Sequence, residues 1–368
     1  MEKIEIIEKM YTIITSEELK SSGRVRQEDF TRERKIGFIE IILLIMNMLK
    51  RSIQIEIDEF TEKFTSKEIP TYTKQSFSES RQKIKPEVFK VLNKEFLKLY
   101  YSTSYKKYKK YRLLGIDGSK IQIPNSADTR KTFGSITNNH DHFETAQALT
   151  STLYDIENDI IISSVLEHCY SNERNLAEKN IDEMLEIVEN DVENLILFDR
   201  GYPSFEMITY LEQRQQKYLM RVKSNSFKEF HSTTSDDEVV SVTITPTRKK
   251  HLKQQGFIVE TGTKIIVRVI KLTLPSGEEE ILITNLTDAE VPYSEFKDLY
   301  FRRWGIETKY DELKNRFEIE NFSGKSTTVV RQDFFAASFL SNIASIIEED
   351  AANIYNAKDN SKKNTSTE

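Results

Sequence analysis

The chain has 368 residues, 30% of them charged and 38% hydrophobic, with a mean hydropathy of −0.53 and one cysteine, Cys169. This predicts a soluble protein of two or three structural units in a reducing cytoplasm, and it excludes an internal disulfide, a cysteine-rich metal site and a secretory leader. A net charge of −6 and a pI near 5.7 weigh mildly against a nucleic-acid partner, because phosphate binding is driven by Lys and Arg.

Residues 1–110 read as helical throughout. Apolar positions recur at helical spacing in Ile4, Ile7, Met10 and Tyr11, along Phe38 to Leu49, and in Val88, Leu92, Phe96 and Leu99. The most apolar stretch, Ile36 to Leu49, is interrupted by Glu40 and Asn47, so it predicts a buried helix and no membrane span. Thr73 to Lys85 offers capping residues ahead of an amphipathic segment with Arg81 and Lys83 exposed. In Tyr100 to Arg112, five basic residues alternate with tyrosines and no acid intervenes. That mix suits a phosphate-tracking surface with stacking groups, or equally a solvated basic helix end.

After Arg112 the period changes. Leu113 to Pro124 reads as a buried strand carrying Asp117 ahead of Gly118 and Ser119. Thr145 to Tyr170 predicts two strands joined at Glu157-Asn158-Asp159, followed by a helix from Glu173 to Val188. Asn194 to Tyr202 repeats the first design, with apolar residues ending on Asp199 before Gly201. Pro203 can open the next helix, and Lys217 to Lys223 is a further strand. Residues 224–291 are β-like. From Tyr293 to Phe317 one helix is predicted, followed by another over Ser323 to Glu348. The stretch 351–368 is polar and reads as a disordered tail.

On a single wheel at ~100° per residue, Tyr300, Arg303, Glu307 and Lys314 fall within roughly 60° of one another, beside an apolar stripe of Leu299, Ile306, Tyr310, Leu313 and Phe317. With two, three and six residues intervening, this Tyr-Arg-Glu-Lys helix resembles the signature of the IS-four family of bacterial insertion-sequence transposases. The Asp-Gly-Ser strand at Asp117 and the Asp-Arg-Gly-Tyr turn at Asp199 are similar to that family's other two acidic motifs. Gln75, Phe77 and Arg81 match a stretch of its N-terminal helical region thought to contact DNA.

The resemblance implies an α/β fold: a ribonuclease-H-like mixed sheet core over 111–223 and 292–350, interrupted by a β-rich insertion at 224–291 and preceded by an N-terminal α-helical, DNA-binding region over 1–110. It also implies a DDE transposase that cuts transposon ends and joins them to target DNA. Asp117, Asp199 and Glu307 would hold two Mg²⁺ or Mn²⁺ ions, as oxygen-only ligands suit hard cations. Tyr300, Arg303 and Lys314 would clamp phosphates, with Arg200 and Tyr202 auxiliary. Trp304 would either stack on an unpaired base or pack in the core.

The partners implied are transposon-end and target DNA and a second copy of the chain. Neither a membrane nor a small-molecule cofactor is expected, and the place of action is the nucleoid in the cytoplasm. Members of the family continue further in helical sequence, so two alternatives stand beside this reading: a metal-dependent nuclease of the same fold, or a truncated remnant that binds DNA without cutting it. His140 and His142 around Asp141 read as a polar surface loop, and Cys169 as a buried inert thiol.

Overall fold

The computed structural model describes residues 3–32, 36–64, 72–137, 144–187, 192–223, 226–274 and 277–365. The His140-Asp141-His142 group lies outside them. Helices α1 (Lys3–Ile14), α2 (Glu17–Gly23), α3 (Phe38–Met46), α4 (Ile53–Phe64), α5 (Lys74–Arg81) and α6 (Val88–Tyr101) open the chain. Ser16 and Thr73 cap α2 and α5 by accepting from the amides of Leu19 and Ser76. Ile6, Met10 and Ile14 form the buried stripe of α1, which packs on α6.

The sheet begins with β1 (Arg112–Gln122), followed by α7 (Ala127–Phe133), β2 (Ser135–Thr137), β3 (Glu144–Asp155), β4 (Ile160–His168), α8 (Glu173–Ile187), β5 (Asn194–Phe198), α9 (Phe205–Gln213) and β6 (Lys217–Arg221). β3 lies antiparallel to both β1 and β4, while β5 is parallel to β1 and to β6. The order β4-β3-β1-β5-β6 is that of the ribonuclease-H-like core.

The rest comprises α10 (Lys228–His231), β7 (Asp237–Thr243), α11 (Pro246–Gln254), β8 (Lys264–Thr273), β9 (Glu279–Thr284), α12 (Phe296–Phe301), α13 (Trp304–Asn315) and α14 (Thr327–Thr365). β9 pairs antiparallel with β6, so β9, β8 and β7 prolong the same sheet beyond its fifth core strand. The tail expected from 351 is instead helical through Thr365, as a continuation of α14. No helix among the described residues is long and apolar enough to cross a membrane.

Helices cover both faces of β1. A Cβ on Gly115 would stand 3.4 Å from the Cβ of Ile306 in α13, whereas one on Gly118 would stand 3.2 Å from Glu173 Cγ in α8. Successive side chains alternate across a strand, so these two positions face opposite ways. The absent side chain at Gly118 leaves room for Glu173 of α8, while at Gly115 the tightest neighbour is Ile156, at 3.3 Å. That double cover explains why β1 is buried at every residue from Arg112 to Ile116 and half-buried from Asp117 to Ser119.

The predicted helix from Tyr293 to Phe317 is broken. A 3₁₀ turn at Tyr293–Glu295 leads into α12, and the chain tightens again at Arg302 and Arg303. The amides of Arg303 and Gly305 reach back three residues, to Tyr300 and Arg302 carbonyls, each at 3.0 Å. A single wheel therefore misplaces the residues before the break relative to those after it.

Candidate active site

β1 and β5 pair in parallel from Arg112↔Asn194 to Gly115↔Leu197. Asp117 and Asp199 each follow the last pair by two residues, so the register puts them side by side where β5 has ended. Beyond Gly115 the β5 side of β1 is open. Such a crevice outside the carboxyl ends of parallel strands is where open α/β sheets bind ligands.

Asp117 accepts from the Gly118 amide at 2.8 Å, and Asp199 accepts from the Gly201 amide at 2.7 Å. Burial pushes the Asp117 carboxyl up to about 6; the Gly118 amide and Arg303 oppose the rise, and Asp199 and Glu307 add to it. The three acids thus share one field. Among the described residues, however, no three acids lie close enough together to hold a metal ion. Glu307 is turned to Arg303, which donates to it at 2.7 Å across one helical turn.

Tyr300, expected at a DNA-facing clamp, is buried. Its hydroxyl donates to the Phe198 carbonyl at 3.3 Å, so it braces the end of β5 just before Asp199. It is buried together with Phe296 and Leu299 on the inward face of α12. Tyr202 is fully buried as well, and its hydroxyl has no partner. Arg303 is buried with its Nε unpaired. Lys314 donates to Ser119 Oγ at 2.9 Å, above the same strand. Arg200 is exposed, and Trp304 is 53% exposed, which excludes the core alternative for it.

Two further expectations change. In the basic stretch ending at Arg112, Lys109 pairs with Glu295, Lys110 with Glu193 and Lys106 with Glu349 at the surface, while Arg112 is buried against Asn194 and over the Tyr101 ring. Its acidic partners come from distant segments, so the run of bases looks unopposed only in one dimension. Arg81, expected exposed, is 1% exposed and bonds Gln332, Ser323 and Asp333. It follows Phe77 by one turn, and its guanidinium lies 5.4 Å from that buried ring.

Other residues at the site carried no distinctive signal. Tyr310, placed on the apolar stripe, donates to the Asp117 carbonyl at 3.1 Å. Arg174 donates to the Gly201 carbonyl at 3.0 Å and to that of Pro203 at 3.3 Å, tying α8 to the turn that follows Asp199. As a cation in the first turn of α8 it runs against the helix dipole, and its acceptors lie 27 and 29 residues further along the chain, where no sequence spacing points. Arg174→Ala should remove charge-assisted bonds worth roughly 1.5–3 kcal/mol. Amide exchange at Gly201 and Tyr202 is then expected to speed up about tenfold or more, read by hydrogen-exchange mass spectrometry, with exchange in β3 unchanged.

The family model described as a transposase DDE domain matches residues 108–343. Transposase InsG for insertion sequence element IS4, from Escherichia coli strain K12, is 24% identical over 239 residues, which cover 63% of this chain and 51% of that protein. The match thus spans about half the length of that curated relative. Among solved structures, a piggyBac transposase synaptic complex with hairpin DNA is similar over 93% of this chain and 75% of its own, at 10% identity and a TM-score of 0.46. A Mos1 transposase paired-end complex with the left transposon end covers 52% and 61%, at 14% identity and a TM-score of 0.22.

Proposed function

Since the chain belongs to the family of transposase DDE domains, we propose that it is an insertion-sequence transposase, cutting the ends of its element and joining them to target DNA by metal-dependent chemistry at phosphorus. What supports this is the β1/β5 register that sets Asp117 beside Asp199 at the open strand ends, with the Glu307 charge near enough to act on Asp117. Carboxylates that repel at close quarters call for a counter-charge, and an oxygen-only donor set fits a hard divalent cation. Asp117, Asp199 and Glu307 are the residues that would hold Mg²⁺ or Mn²⁺. When bound, two such ions activate an attacking oxygen and stabilise the leaving one in an in-line displacement.

The chain's own groups do the positioning. The Gly118 and Gly201 amides orient Asp117 and Asp199, and Tyr310 and Tyr300 steady the strand ends behind them. Arg303, with its Nε unpaired beside Glu307, presents a fork toward a phosphate, and Lys314 adds a point charge from the next turns of α13. Arg200, next to Asp199, and Trp304, next to Arg303, are both exposed and are the contacts for DNA outside the crevice, Trp304 by stacking. Tyr202 acts from within.

In the reaction, water attacks phosphorus and the 3′ oxygen leaves as a hydroxyl. That hydroxyl then displaces the opposite strand to close a hairpin and, after the hairpin is reopened, attacks target DNA. Pairing two ends asks for a dimer on DNA, in the nucleoid of the cytoplasm.

The test is nicking of DNA carrying the element's flanking ends in Mg²⁺ or Mn²⁺, with Asp199→Ala as control. Metal-dependent cleavage that is lost in the variant is the expected result. Binding without cleavage by either protein would overturn the enzyme and favour a DNA-binding remnant. Cleavage without joining would leave the metal-dependent nuclease.

A further inference from the structure

At the first residue of α8, Glu173 comes to β1 from the face opposite α13. Its Cγ and Cδ lie 3.2 and 3.3 Å from where a Cβ on Gly118 would stand, so the carboxylate occupies the space that glycine leaves beside Asp117. It has no hydrogen-bond or ion-pair partner among the described residues. Arg174, the next residue, is fastened to the carbonyls of Gly201 and Pro203, so this end of α8 is anchored against the Asp199 turn. A carboxylate needed only to complement the helix dipole would not require a missing side chain on a neighbouring strand.

A second observation points to the same space. The hydroxyl of Tyr202 is fully buried yet unpartnered, although a phenol can both donate and accept and an unsatisfied buried hydroxyl costs roughly 1–3 kcal/mol. Burial raises this phenol well above its ordinary range, and the Asp117 and Glu173 carboxylates, in that order, add most to the rise. The charges of both acids thus reach the buried hydroxyl. β5 has ended at Phe198, so nothing in the sheet separates the two faces of β1 along that edge.

We propose that Glu173 is a fourth carboxylate of the site, reaching over Gly118 to hold, together with the Tyr202 hydroxyl, the water shell of a divalent cation bound by Asp117 and Asp199. This rests on the metal-dependent reading above. The class of ligand is a hydrated hard cation, because a phosphate would meet only acids and a phenol here. Glu173 acts through that water, as a positioning residue, and a hydrated ion satisfies both the unpaired carboxylate and the orphaned hydroxyl.

The experiment is Mn²⁺ binding to the purified chain without DNA, followed by the electron paramagnetic resonance of the free ion. Glu173→Gln is expected to weaken binding about tenfold, the usual cost of losing an outer partner at a metal site, with its melting temperature in EDTA unchanged. Gly118→Ala, which crowds Glu173, should weaken binding too, and the double variant should be no worse than Glu173→Gln alone. Binding by Glu173→Gln within twofold of wild type, while Asp199→Asn is weakened, would overturn the proposal and leave the three-acid site standing. No Mn²⁺ binding by the wild-type chain would overturn both.

Discussion

Asp117→Asn is expected to lower metal-dependent cleavage by about a thousandfold or more and, at the same time, to raise the melting temperature of the chain in EDTA. The first effect follows from removing a carboxylate that no neighbour can replace at the centre of the acid group. The second follows from its surroundings. Its folded-state value of about 6 stands above the roughly 3.9 of a free aspartate, so above pH 6 the folded chain carries a charge that the unfolded chain bears at lower cost.

The sign fixes a pH window. The stability that protonated Asp117 contributes is fully present below about pH 4 and is lost as pH rises through 6. Asn resembles the protonated acid and keeps it. At pH 7.5 the variant should therefore be more stable by on the order of 2 kcal/mol, or about 2–4 °C, and this advantage should vanish toward pH 4. Thermal melts across pH, beside the nicking assay, read both effects. A variant that loses cleavage and also melts lower at neutral pH would show that Asp117 supports the fold and would remove the argument from repulsion.

The second large effect is on stability alone. Arg81→Ala should cost roughly 3–5 kcal/mol, since it leaves the Asp333 carboxylate without its cation and strips bonds from Gln332 and Ser323. Gln332 is itself fully buried and donates to the carbonyls of Arg81 and Ile84, so the loss spreads through the joint between α5 and α14. Urea denaturation measures it. The competing view, in which Arg81 touches DNA as the family resemblance implies, expects unchanged stability and weaker DNA binding. Those two outcomes cannot be confused.

Arg81 also shows where one-dimensional reading ends. Its charge and its place in an amphipathic segment suggested exposure, yet Phe77 one turn earlier is fully buried and puts Arg81 on the inward face. The same holds for Lys106, Lys109 and Lys110, whose acidic partners come from segments remote in the chain. Tyr300 is buried for another reason. The wheel that grouped it with Glu307 assumed one unbroken helix, whereas Tyr300 belongs to α12, ahead of the tight turn at Arg302 and Arg303, and its hydroxyl meets the end of β5.

What the amino-acid sequence determined by itself was the course of β1 and β5, and it put Asp117, Asp199 and Glu307 forward as the candidate acids. Apolar period marked β1 and β5 as strands, and in each the acid interrupts or ends the apolar run, a local property that needs no neighbours. Which strand lay beside which, and therefore that Asp117 and Asp199 stand side by side, was decided only by the parallel register of β1 with β5. So was the joining of β7, β8 and β9 to the core sheet through β6, and so was the approach of Glu173 to Gly118. Pairing and burial depend on partners far apart in the chain, and periodicity carries no record of distance across it.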